Sequence, residues 1–230
     1  MKNARIAGIF YLITFVTSIP AVFLLDSILH NSNFITESGS STSVLIGCVL
    51  DVMNAIACIG TAVAIFPIVQ RQNKSLALGF VASRIFEAAV IMIGVVSLLA
   101  IVTLRQTYAG EATVDDSTLQ LVGQGFLELR NWTFLLGPGT VPAINGLLLG
   151  LLLFQSKLVP RIIPTVGLIG APLLLISAMA TMFGVFEQTS PMAAVLGLPI
   201  ALWELTLGFW LAFKGFKKVE FAALMAKSNS

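Results

Sequence analysis

The sequence predicts an all-α polytopic membrane bundle of about six transmembrane helices, with both termini cytoplasmic. Three observations carry that prediction. Of 230 residues, 57% are hydrophobic and only 10% are charged, whereas a soluble domain carries about 25% charged residues. Six stretches reach the ~20 apolar residues that a hydrocarbon core of ~30 Å requires of a helix. Lysine and arginine are divided unevenly among the polar connections between those stretches.

The first stretch, residues 6–25, follows Lys2 and Arg5. A basic start before an apolar run also opens a secretory signal, but this run is of span length and no Ala-x-Ala site follows it, so it is expected to persist as a helix. A connection rich in Ser and Asn, residues 26–42, leads to the second stretch, 43–66. Cys48 and Cys58 lie in it, roughly 15 Å apart along a helix axis, so they cannot bridge each other and are expected to be small buried apolar side chains. Arg71 and Lys74 precede the third stretch, 76–104, and a polar connection, 105–125, carries Glu111, Asp115 and Asp116.

The fourth stretch, 132–155, is irregular. Gly137-Pro138-Gly139 and then Pro142 interrupt its outer end, and residues 126–137 read as a separate interfacial segment. Proline removes a backbone donor and glycine weakens the helix, which gives either a local kink or a broken helix that offers backbone groups to a ligand beside Asn145. Lys157 and Arg161 precede the fifth stretch, 164–186, and a tight turn, 187–191, separates it from the sixth, 192–213. Helices are the expected form throughout, because lipid cannot satisfy backbone N–H and C=O groups and the alternation of a barrel strand is absent. The chain reads as a single transmembrane domain over residues 1–230.

With the N-terminus inside, the inner segments hold Lys2, Arg5, Arg71, Lys74, Lys157, Arg161, Lys214, Lys217, Lys218 and Lys227, while the outer ones hold only Arg105 and Arg130. The rule that cytoplasmic loops are enriched in Lys and Arg therefore puts both termini in the cytoplasm.

Four ionisable residues fall inside the apolar stretches: Asp51, Arg84, Glu87 and Glu204. Counted at 1.5 Å per residue from the predicted ends, they lie about 12–18 Å deep, all near the midplane. A lone charge there costs at least ~2.5–3.5 kcal/mol, so the four are expected to face the bundle interior and one another. Arg84 and Glu87 are spaced i, i+3 and form a natural pair. Asp51 and Glu204 then have no second cation within the spans. With three acids against one guanidinium, at least one carboxyl is expected to be neutral. Asn54 shares the helix face of Asp51, Cys58 and Thr61, and small faces at Gly197, Ala201 and Gly208 and at Gly146 and Gly150 allow close helix approach. The glutamates of the third and sixth stretches each follow an aromatic residue and trail a glycine, Gly79 or Gly197, a hint of the inverted repeat found in transporters.

Several function classes have no residues to carry them. His30, the single histidine, lies in an outer connection, and neither HExxH nor a Cys/His cluster is present, so no metal site or cofactor is expected. No P-loop or dinucleotide fingerprint occurs, neither acid sits in a Gly-Asp protease motif, and a net charge of +2 implies no nucleic-acid partner.

Arg5-Ile6-Ala7-Gly8 followed by Tyr11-Leu12, Asp51 in the second stretch, Arg84-x-x-Glu87 in the third and Pro160-Arg161 before the fifth together form a pattern. It resembles the bacterial membrane family labelled domain of unknown function 4386, over nearly the whole chain. The resemblance implies a multi-span bacterial inner-membrane protein and carries no assigned reaction. The leading functional expectation is small-solute or ion permeation coupled to protonation of a buried carboxyl. The alternatives are a non-transporting sensor or assembly protein and an intramembrane enzyme acting on a lipid-linked substrate. An enzyme is the less favoured class, the lipid bilayer is the expected partner, and an oligomer stays open.

Overall fold

The structure, a computed structural model, describes residues 2–31, 33–37, 39–109 and 114–227, with only the backbone of Lys227. Glu111 and the Lys227 side chain, counted above among the charges of the connections, lie outside the described residues. Among those residues there are eight helices and no strand: α1 (Lys2–His30), α2 (Thr42–Val69), α3 (Lys74–Tyr108), α4 (Asp116–Leu136), α5 (Val141–Ser156), α6 (Ile162–Met182), α7 (Pro191–Phe213) and α8 (Lys218–Lys227). Six segments are long and apolar enough to cross a membrane, with α4 and α5 together forming one of them.

Local chemistry sets the ends. The Asn73 side chain accepts from the Leu76 N–H at the start of α3, and Ser190 does the same for Ala193 at the start of α7. Lys157 takes a left-handed conformation (φ 56°) to end α5, and Gly184 (φ 72°) follows the end of α6.

The helices differ from their predicted spans chiefly at the end away from the termini. α3 has 35 residues, about 52 Å at 1.5 Å per residue, well over the ~30 Å of a hydrocarbon core. The segment 116–125, expected as a loop, is the first half of α4, whose buried positions include Leu119 and Gly123. It packs on α3 and on the α1–α2 connection, where Gly123 stands against Ile35, and Phe34 and Ile35 of that connection fold back into the same apolar cluster with Leu25, Ile28, Leu98 and Ile101. This cap gives the polar connections an anchor that the pattern of spans does not reveal.

A second apolar cluster fills the opposite half. Ala7, Tyr11, Ile65, Phe80, Trp203 and Leu207 are all fully buried in it. Here the start of α1 crosses the end of α7 at glycine contacts: a Cβ on Gly8 would stand 2.2 Å from the Ala212 backbone nitrogen. Such backbone approach is possible only without a side chain. Between the cap and this sealed half lie the charged residues.

A split charge cluster as the candidate functional site

Arg84 is the centre of the first group. Its guanidinium donates through Nη1 to Glu87 Oε2 and through Nη2 to Glu204 Oε1, both at 2.9 Å. The first acid is one turn along α3, and the second is brought from α7. Glu87 Oε2 also accepts from the Asn145 amide at 2.8 Å, which draws in α5. Cys58 Sγ of α2 lies 3.7 Å from Arg84 Nη1. The guanidinium carbon sits 5.0 Å from the Tyr11 ring centroid and 5.9 Å from that of Phe80, so aromatic faces complete its surroundings. One guanidinium thus ties α2, α3, α5 and α7 together at one level. Charge-assisted bonds of this kind are stronger than neutral ones, because at least one partner is ionised.

Asp51 does not join this group. Its carboxylate faces Arg130 Nη2 of α4 at 3.9 Å. This corrects two expectations. Asp51 does have a second cation, and Arg130 is a buried residue of α4 rather than a charge in an outer connection. The depth assigned to Asp51 changes as well, because α2 has 28 residues, about 42 Å of helix, so its outer end extends past a ~30 Å core. Measured from the α2–α3 turn, Arg84 stands about 15 Å along α3 and Asp51 about 27 Å along α2. Arg130 and Thr133 pack on α3 at Gly94, about 30 Å from the same turn. The Arg84 group is therefore central, and the Asp51–Arg130 pair lies toward the cap.

Two adjoining cavities connect the groups. The inner one, of about 280 Å³, is bordered by Arg84, Glu87, Glu204, Gly197 and Ala201. The outer one, of about 220 Å³, is bordered by Asp51, Arg130, Thr133 and apolar side chains of α1 and α3. Ser18, Asn54 and Pro138 border both. The small-residue face of α7 is thus divided in use. Gly208 packs on α1, where a Cβ would be 3.0 Å from Tyr11 Cβ, whereas the nearest atom to a Cβ on Gly197 is 3.8 Å away. Above the Gly8 crossing the two helices part, and the inner cavity occupies the opening.

The charged side chains most open to the space are those of Glu204 and Asp51. Glu204 and Asp51 each retain 13% of their side-chain exposure, against 2% for Arg84 and 5% for Glu87. If every group is ionised, the Arg84 group holds one cation and two anions, and the Asp51–Arg130 pair is balanced.

The break at Gly137, Pro138 and Gly139 joins α4 to α5. The N–H groups of Gly137, Gly139, Thr140 and Val141 all donate within the break itself, to Thr133, Phe134, Gly137 and Gly137. What this segment brings to the cavities is therefore the Pro138 and Pro142 rings. Asn145, expected beside a broken-helix site, instead serves Glu87. Among the described residues no group of three or more His, Cys, Asp or Glu side chains could hold a metal ion.

Helices of this length and apolarity, meeting around an internal charge cluster, define a multi-pass integral membrane protein. A sequence profile described as a domain of unknown function, DUF4386, matches residues 6–215. The chain belongs to that family, as the order of its motifs suggests. No curated protein and no solved structure matches it.

Proposed function

We propose that this chain is a bacterial inner-membrane protein that passes a small solute or ion, with protonation of Glu204 coupled to the passage. The observation that carries the reading is the placement of Glu204. It shares Arg84 with a better-satisfied partner, Glu87, and it is the more exposed of the two toward the inner cavity. Its bonded partner is Arg84 of α3, and the titratable groups that share that guanidinium with it are Glu87 of α3, Tyr11 of α1 and Cys58 of α2. When Glu204 takes a proton, Arg84 keeps one carboxylate and the group becomes neutral. When it releases the proton, the group attracts a cation or a donor-bearing solute. The apolar seal on the side of Gly8 and Phe80 closes one end of the path, and the cavities lead toward the cap.

The test is proton flux in proteoliposomes under an imposed pH gradient. Flux in the wild type that is abolished by Glu204→Gln supports the reading. Absence of flux in the wild type, or equal flux in the variant, removes it. The distribution of Lys and Arg favours cytoplasmic termini. Because Cys48 and Cys58 are buried, a cysteine introduced at Lys157 should be labelled from the cytoplasmic side and one at Thr36 from the opposite side.

One observation favours a second reading, an intramembrane enzyme acting on a lipid-linked substrate. Ile19 and Val22 of α1 border the outer cavity yet are about half exposed, at 54% and 51%, which supports lateral entry from lipid. Turnover of a lipid-linked substrate without proton flux would favour it.

A further inference from the structure

We propose that the outer cavity is a binding site for a small zwitterion with an apolar body, its carboxylate held by Arg130 and its ammonium by Asp51. The starting point is an unsatisfied pair. Asp51 and Arg130 approach to 3.9 Å, beyond the reach of an N–H···O hydrogen bond. Among the described residues, neither group has a hydrogen-bond partner. A guanidinium offers five N–H donors and an ionised carboxylate accepts at two oxygens. Both side chains are nonetheless largely buried, Arg130 retaining 8% and Asp51 13% exposure. Burying charges without hydrogen bonds is costly. The other ionic group of this protein shows the contrast, with every Arg84 contact to a carboxylate at 2.9 Å.

The space next to the pair suits a metabolite. The cavity of about 220 Å³ is smaller than the ~300–1,000 Å³ of drug-sized sites. Ile19, Val22, Leu25 and Ile91 give it an apolar wall, and Arg130 is backed by Phe134 with its guanidinium carbon 4.7 Å from the ring centroid. Guanidinium groups favour carboxylates because two parallel N–H donors match two oxygens.

Charge balance selects the class of ligand. The pair is neutral as it stands. An anion alone would satisfy Arg130 and leave Asp51 beside an added negative charge. A cation alone would do the reverse. A zwitterion fills both valences and leaves the net charge at zero, which matters where solvation by water is scarce. The proposal goes beyond the permeation reading, which rests on Glu204 in the inner cavity. Binding at equilibrium holds whether or not the ligand crosses the membrane.

The experiment uses the full chain in detergent, with binding read by calorimetry and by ligand-induced shift of the melting temperature. The probes are glycine, L-leucine and L-phenylalanine, together with two single-charge analogues of leucine, 4-methylpentanoate and 3-methylbutylamine. At least one of the two larger amino acids should bind, leucine or phenylalanine, with glycine weaker. Each single-charge analogue should bind at least tenfold more weakly than the amino acid. Arg130→Gln should shift the preference toward the amine and Asp51→Asn toward the carboxylate. The double variant D51N/R130Q, which leaves no uncompensated charge, should fold and bind none of the probes. Glu204→Gln should bind like the wild type, so loss of flux and loss of binding are separate outcomes. The proposal is overturned if neither leucine nor phenylalanine binds, if glycine binds as well as they do, if the analogues bind equally well, or if binding survives in the double variant.

Discussion

Replacing Arg84 by methionine isolates what the central group contributes. The guanidinium is 2% exposed and makes two 2.9 Å bonds to carboxylates on two helices. The methionine side chain would fill part of the volume and leave Glu87 and Glu204 without their cation. Removing one partner of a buried pair costs about 3–5 kcal/mol, because an uncompensated charge stays behind. At about 2–4 °C per kcal/mol for a chain of this size, the melting temperature should fall by about 6–20 °C. The assay is thermal unfolding in detergent, followed by circular dichroism and tryptophan fluorescence, since Trp203 is fully buried close to the group. The triple variant R84M/E87Q/E204Q supplies the control. It deletes both stranded charges, and replacing a complete buried ionic network by neutral groups is often close to neutral in stability. It should therefore recover most of the loss. A fall below about 2 °C in R84M, or a triple variant no more stable than R84M, would refute the assignment of a buried, mutually dependent ionic group.

Other outcomes follow from particular contacts. Gly8→Ala places a Cβ 2.2 Å from the Ala212 nitrogen and should destabilise by about 1–3 kcal/mol or more through overpacking. Gly197→Ala, with 3.8 Å of clearance, should be neutral or stabilising by up to about 1 kcal/mol; the paired melting curves test both. Arg105 donates to the Glu37 carbonyl at 2.8 Å and the Ser41 hydroxyl at 3.2 Å and lies 4.1 Å over the Phe34 ring. Arg105→Ala should raise amide exchange across residues 33–37 and 39–41 by about tenfold or more, since such bonds contribute about 1.5–3 kcal/mol, while the helices of the sealed half keep their protection. Glu87→Gln should lower the melting temperature more than Glu204→Gln. Glu87 Oε2 accepts from two donors, Arg84 and Asn145, and Glu204 from Arg84 alone.

What the sequence reveals is local. Arg84 and Glu87 share one helix face, so their pairing is readable from a spacing of three. The apolar stretches are contiguous, so the number of spans is readable too. Glu204 reaches Arg84 across 120 positions, and nothing in either neighbourhood announces that contact beyond the need to bury a charge. Arg130 escapes a reading of the sequence for a physical reason: a window tuned to continuous apolarity passes over α4, whose buried Leu119, Gly123, Arg130 and Thr133 alternate with polar and exposed positions. The charge count carries the missing clue, since an excess of acids within the spans calls for another cation. Arg105 reads as a charge in an outer connection because α3 runs on past the expected span. Its last turns, with Ile101 and Val102 buried, have the cap to pack against.

The two charged groups differ in a way that separates holding a fold together from leaving room for a ligand. Groups that only join helices gain most when their hydrogen bonds are saturated, since each unmet bond on a buried polar atom costs about 1–3 kcal/mol. Glu87 comes nearer that description, because Arg84 and Asn145 both donate to its Oε2 and it is the less exposed of the two glutamates that border the inner cavity. Asp51 and Arg130 do not, for they meet across 3.9 Å at the edge of a space that Asn54, Thr133 and Ser18 also border. Glu204 is intermediate, bonded once and facing the inner cavity. Selection for rigidity alone would close these spaces, as it has around Phe80 and Trp203. A chain that gives one acid two donors and leaves two others less satisfied at the border of connected cavities has kept polar capacity available, the capacity that the proposed solute and proton would use.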